Sequence, residues 1–141
     1  MKRLNKIPIL LAIIFLACNQ QTETSDRSKD AEAIMAIITK YDHGWDARDV
    51  KAVLAGYSDD IDWTNAFGDR VQGKQELEAL LETIFSLDFV MSGENNYQEP
   101  EINFLSEDIA LVRSVNIRTG QKWPDGSLMK DRVINHLRVF I

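Results

Sequence analysis

The chain has 141 residues, the length of one domain. Hydrophobic residues make up 45% and charged residues 27%, a balance that excludes a disordered chain. The formal net charge of −6 argues against nucleic-acid phosphate as a partner, because that needs clustered Lys and Arg.

The first residues differ from the rest. Met1 to Lys6 carries Lys2, Arg3 and Lys6 and no acid, and Ile7 to Ala17 is continuously apolar. That run is shorter than the roughly 20 residues needed to cross a bilayer. A basic start, a short apolar centre and small Ala17 before a break read as a secretory signal over residues 1–17. Cys18 follows and is the only cysteine, so no intramolecular disulfide forms. Ile14-Phe-Leu-Ala-Cys18 resembles the lipobox of bacterial lipoproteins, with Phe15 where Leu is usual. Lipidation of Cys18 would anchor the protein at the cell envelope, by the membrane alone and not by a spanning helix. A plain signal peptide with an incidental cysteine, or a buried N-terminal helix, are the alternatives. Cleavage before Cys18 leaves 13 cations against 22 anions, so the mature chain is still more acidic.

Asn19 to Lys29 has no apolar residue, and residues 18–29 are expected to form a polar tether after the lipidated cysteine. The folded domain is expected over residues 30–141. Ile34, Ile37, Ile38, Tyr41 and Trp45 share one helical face and predict a helix over residues 30–45, with Gly44 near its end. Asp49 is placed to cap a short helix from Val50 to Ala55, stopped by Gly56. Ile61 to Ala66 alternates as a strand: Ile61, Trp63, Asn65 and Phe67 on one face, Asp62, Thr64 and Ala66 on the other. Gly68-Asp69 predicts a turn, and Leu77, Leu80, Leu81, Ile84 and Phe85 predict a helix from Lys74 to Leu87. Ser92 to Asn96 reads as a loop. Strands are expected at Glu101–Leu105, Ile109–Arg118 and Leu128–Ile141, with a turn at Trp123-Pro-Asp-Gly126. Helices first and a meander last give an α+β layout. The chain stops inside an apolar strand, so a further hairpin strand is expected to be missing.

Tyr41-Asp-His-Gly-Trp45, Asp46-Ala-Arg-Asp49, Tyr57-Ser-Asp-Asp-Ile-Asp-Trp63, Phe67-Gly68, Gly73-Lys74 and Phe104 to Val112 stand in this order and spacing. Together they resemble the SnoaL-like branch of the nuclear transport factor two-like superfamily, and more narrowly the SgcJ/EcaC-type proteins, often labelled oxidoreductases. The resemblance implies a cone-shaped, cystatin-like fold in which a curved antiparallel sheet wraps a long N-terminal helix and encloses a pocket. It also implies homodimers packed through the sheet. The superfamily holds isomerases, dehydratases, hydrolases and binding modules, so fold alone does not deliver function.

A pocket of this kind sets a few polar groups in an apolar wall. Asp59 and Asp60 precede the strand in a turn, and Asp62 lies opposite Trp63, so these acids are expected in turn or solvent positions. Asn65 shares the apolar face and needs a partner, either backbone or ligand, and is counted with the ligand pocket as the better functional candidate of this stretch. Tyr41, Trp45 and Trp63 carry polar handles on buried faces and are candidate pocket walls with Phe67. His43 falls off the apolar stripe and is expected in solvent. His136 shares a strand face with Ile134, Arg138 and Phe140, and either face could be the inner one. It is counted with the ligand pocket and, if inner, is the candidate catalytic residue. The two histidines and one cysteine have no metal-ligand spacing, and no phosphate-cradling or dinucleotide motif occurs, so neither metal nor cofactor is expected. The expected function is binding of a small, largely apolar molecule. The alternatives are an acid–base enzyme acting as isomerase, dehydratase or hydrolase, and an envelope interaction domain without catalysis.

Overall fold

The computed structural model describes residues 17–65 and 68–141, with side chains described from residue 27 onward. The expected signal segment, the Cys18 side chain and Phe67 lie outside the described residues. The chain divides into two compact units, Met1–Ala33 and Ile34–Ile141. In the first, the described residues belong to helix α1, which runs from Ala17 to Ala47. Helix therefore occupies residues 18–29, read above as a tether. No Gly or Pro interrupts residues 9–43, and once a helix is nucleated each further residue adds a bond at little cost. Among the described residues, no helix is long and apolar enough to cross a membrane.

The second unit is an α+β arrangement. Ile34 and Ile38, one helical turn apart on α1, are 7% and 2% exposed, and they cluster with Ala110 and Val112 of the sheet. Gly44 does not end the helix. A Cβ there would come 2.9 Å from Ala52 Cβ and from the Val53 nitrogen, so its missing side chain admits α2 (Val50–Leu54) close against α1. The end falls instead at Arg48, a non-glycine residue with φ 56. Such a conformation normally belongs to glycine. Arg48 offsets its cost by donating from Nη1 to the Phe85 carbonyl at 3.2 Å and to Asp88 Oδ1 at 2.9 Å. Asp49 caps α2 as its sequence position predicts, accepting the Ala52 amide at 3.0 Å.

The expected strand at Ile61–Ala66 is a short hairpin arm, β1 (Asp62–Thr64), paired antiparallel with β2 (Arg70–Gln72). β2 carries no periodic signal, because three residues are too few to display a period. Helix α3 (Lys74–Ser86) buries Leu77, Leu81 and Phe85 on one stripe, and these join Tyr41, Val53 and Leu54 in a second apolar cluster. A turn of helix, α4 (Asp88–Met91), then leads into β3 (Glu94–Tyr97).

β3 replaces the loop expected at Ser92–Asn96. Asn and Glu are poor strand formers, but tertiary pairing overrides that preference. β3 pairs with one end of β5 (Ala110–Thr119), Glu94 opposite Thr119 and Tyr97 opposite Asn116, while β4 (Glu101–Phe104) pairs with the other end. On its far side β5 pairs along its length with β6 (Arg132–Phe140). All these pairs are antiparallel. Ala110, Val112, Ser114, Asn116 and Arg118 of β5 are buried. Their partners across the ladder are Phe140, Arg138, His136, Ile134 and Arg132. The inner sheet face is thus apolar at the β4 end and polar toward the β3 end.

Candidate ligand-binding site

Strand alternation selects the face of β6 that carries His136 and Arg138, since Ile134, His136, Arg138 and Phe140 are half-buried while Val133, Leu137 and Val139 are exposed. Opposite them stands α1. Tyr41 is buried, and its ring centroid lies 5.9 Å from Trp45, 6.2 Å from Tyr57 and 6.3 Å from His136. Trp45 in turn meets Phe85 edge-on at 5.1 Å. Trp63 packs against the same cluster from β1. Four of the expected wall residues, Tyr41, Trp45, Trp63 and His136, therefore belong to one neighbourhood of helix, hairpin and sheet.

At its centre is Arg138, which the sequence reading left unassigned. Its guanidinium carbon sits 4.6 Å above the centre of the Tyr41 ring, a cation–π arrangement. Its Nη1 donates to Ser114 Oγ at 2.5 Å. Arg138, Trp63 and Tyr41 all act to lower the Tyr57 pKa. They favour the phenolate, yet burial outweighs them, and the Tyr57 pKa lies above its ordinary value. Burial likewise raises Tyr41. Alternation had already put Arg138 on the His136 face; knowing which face is inner would have found it.

Two ordinary acid–base groups are displaced here in opposite directions. His136 is lowered to about 4, by burial first and by the Arg138 charge second, so its imidazole is neutral at pH 7. Asp42 is raised to about 6; burial dominates, Asp46 adds to it, and Arg138 and His43 act against it. Asp42 was missed by the sequence reading because it sits one residue from the apolar stripe and reads as a solvent position. Beside it, the Tyr97 hydroxyl donates to Asp46 Oδ1 at 3.0 Å and lies 3.3 Å from the Asp42 carbonyl oxygen. Asn95 Nδ2 donates to the same Asp46 oxygen at 2.6 Å, and Asn116 Nδ2 donates to Asn95 Oδ1 at 2.8 Å. This chain of amides ties α1 to β3 and β5. Farther along, Arg118 is 3% exposed and donates twice to the Ser92 carbonyl, at 3.2 and 2.9 Å.

Asn65 spends its amide locally. Nδ2 donates to Asp69 Oδ2 at 2.8 Å, and Oδ1 accepts the Asp69 amide at 3.0 Å, closing the β1–β2 turn. The acids of the same stretch face outward, as alternation indicates. Asp62 pairs with Arg70 across the hairpin, which holds its carboxyl below the usual range. Asp59 lies 3.7 Å from Lys74 Nζ, with its side chain almost wholly exposed, and Asp60 is exposed. His43 is exposed too, and lines a groove of about 530 Å³ on the outer side of α1 and α2, with Lys40, Gly44 and Asp49 among its walls. That groove is apart from the Arg138 cluster and includes none of the expected wall residues. Among the described residues, no three His, Cys, Asp or Glu side chains gather in a way that would hold a metal ion.

No family model matches the sequence, and no curated protein matches it. Solved structures do. A nuclear transport factor two-like protein with a cystatin-like fold from Novosphingobium aromaticivorans superposes with a TM-score of 0.62 at 16% identity, covering 91% of this chain and 80% of that one. A nuclear transport factor two-like protein of unknown function from Shewanella oneidensis gives 0.60 at 17% identity, over 78% and 85% of the two chains. A ketosteroid isomerase-like protein from Erwinia carotovora atroseptica gives 0.59 at 23% identity, over 75% and 78%. The chain has the cystatin-like, nuclear transport factor two-like α+β fold.

Proposed function

We propose that residues 34–141 bind a small, largely apolar molecule between α1, the β1–β2 hairpin and the inner face of β5–β6. The observation that carries this reading is the composition of that interior. Where a purely structural core would use aliphatic side chains, this one places Tyr41, Trp45, Tyr57, Trp63, His136 and Arg138 together, and all but Tyr41 are only partly buried. A few polar groups in an aromatic wall are the usual make-up of a small-molecule site. Asn65 is left out, because its amide is committed to the turn. The test is a thermal-shift screen of the full chain against small hydrophobic compounds, followed by titration of the hits. Stabilising hits that weaken in Trp63→Ala and Tyr57→Phe support the reading. A screen without hits favours an interaction domain whose interior is simply filled.

Asp42 favours a second reading, acid–base catalysis of the isomerase or dehydratase kind, since a general base works best with a pKa near the working pH. At about 6, Asp42 meets this better than His136 at about 4. Exchange of α-protons of ketone probes in deuterated water, abolished by Asp42→Asn, would support it; no exchange above the uncatalysed rate would reject it. Neither reading calls on a cofactor. The SgcJ/EcaC affinity, envelope location through Cys18 and a homodimer through the sheet complete the proposal. Cys18→Ser is expected to release the protein from membranes, and retention there would reject the anchor.

A further inference from the structure

We infer that the Arg138 cluster is the receptor for the carboxylate of the bound molecule, so that the ligand class is a small monocarboxylic acid with an apolar body. The inference rests on the small-molecule reading above and names its chemistry.

Arg138 is a half-buried cation whose direct contacts are neutral: the Ser114 hydroxyl and the face of Tyr41. Among the described residues, no carboxylate forms an ion pair with it, whereas Arg48 pairs with Asp88, Arg70 with Asp62 and Lys74 with Asp59. Asp42 is near enough to feel its charge, yet burial prevails and lifts that carboxyl to about 6, the reverse of what a salt bridge does. Removing a charge from water is costly unless an opposite charge replaces the lost hydration. A guanidinium presents paired N–H groups that match the two oxygens of a carboxylate.

The surrounding donors agree. Tyr57 stands edge-on to Tyr41 at 6.2 Å, Arg138 covers a face of the Tyr41 ring, and Trp63, whose indole has only an N–H to give, packs against the same cluster. Tyr57 brings a hydroxyl donor to the same neighbourhood, where Arg138 acts on it electrostatically. An incoming carboxylate oxygen would accept from Tyr57 and from Arg138 together. The apolar body would lie along Trp45, Trp63 and Phe85. One guanidinium with Asp42 and Asp46 nearby suits a monoanion and disfavours a doubly charged phosphate.

The experiment titrates the full chain with straight-chain monocarboxylates from butyrate to octanoate and with alcohols of the same lengths, following tryptophan fluorescence and calorimetry. The acid is expected to bind at least about tenfold more tightly than its alcohol. Arg138→Met should abolish that preference, bringing the ratio of acid to alcohol affinity within the same variant to about one, and Arg138→Lys should restore part of it, since Lys keeps the charge and loses the fork. Should Arg138→Met not fold, Tyr57→Phe supplies the same comparison, with a smaller fall in the acid-to-alcohol affinity ratio. Equal affinity for acid and alcohol overturns the carboxylate assignment and leaves the small-molecule reading standing. An acid preference that survives Arg138→Met also overturns it. Binding of neither series overturns it as well, and the broader reading falls with it only if the thermal-shift screen has no hits.

Discussion

His136 and Asp42 both lie within the field of Arg138, and their displaced pKa values make opposite contributions to stability. For Asp42 the folded value is about 6 and the ordinary value 3.8, so between those pH values the folded chain keeps a proton that the unfolded chain has released. Raising the pH through this window removes stability. For His136 the folded value is about 4 and the ordinary value 6.5, so here it is the unfolded chain that holds the extra proton. Raising the pH through that window adds stability. The two windows overlap between about 4 and 6, and there the slopes offset each other. Melting temperature measured at a series of pH values should therefore separate three proteins. Asp42→Asn should gain stability with pH more steeply than the wild type, while His136→Gln should lose stability from pH 4 to pH 6. Parallel curves would mean that neither group is buried as described. The same residues show what the sequence held at this scale. Alternation put Asp62 outside and His136 beside Arg138. It could not reveal that Asn65 finds its partner four residues away in Asp69, because both a turn amide and a ligand amide satisfy the same rule that a half-buried polar group is bonded.

At the scale of elements, the helices α1 and α3 were legible because their apolar residues repeat along one stripe, and β5 because β-branched residues dominate it. β3 was not. Its residues are polar, and what makes them a strand is the edge of β5 and the amide chain from Asn116 through Asn95 to Asp46. Gly93 sets its starting point. It has φ 84, and a Cβ there would come 2.4 Å from the Thr119 oxygen and 2.8 Å from the Gln121 nitrogen, both backbone atoms with little freedom to move. Gly126 has nearly the same φ, 86, with nothing within 4 Å. Gly126→Ala should then cost only the backbone conformation, about 1 kcal/mol. Gly93→Ala adds the collision and should cost at least about 2 kcal/mol more. Urea unfolding of the two variants checks this, and equal midpoints would remove the close approach at β3. A larger loss at Gly93 should also reach the site, since β3 carries the Tyr97 and Asn95 contacts to Asp46 beside Asp42.

At the scale of the whole molecule, the outer face of the β5–β6 ladder is apolar and open. Val133, Leu137 and Val139 are each more than 60% exposed on β6. The ladder sets Val133 beside Ile117, Asn135 beside Val115 and Val139 beside Leu111. Contiguous apolar surface of this kind marks an association site more often than a free surface. A second copy of the same face would cover it with isologous symmetry, the commonest arrangement in soluble oligomers. Leu137 offers the cleanest test, because its ladder partner is Arg113. In a monomer, Leu137→Glu places a carboxylate across from that guanidinium on an open surface, so the fold should be nearly unaffected. In a dimer the same carboxylate is carried into an apolar contact and meets its own copy, which disfavours association strongly. Sedimentation should accordingly show a dimer for the wild type and a monomer for Leu137→Glu, with melting measured at low concentration changing little. Val139→Glu lacks an opposing cation, since it stands across from Leu111, and should perturb the fold more. A wild type that sediments as a monomer at high concentration would reject the dimer and leave the proposed site untouched, since its residues lie on the opposite side of the sheet or on the helices and hairpin that cover it.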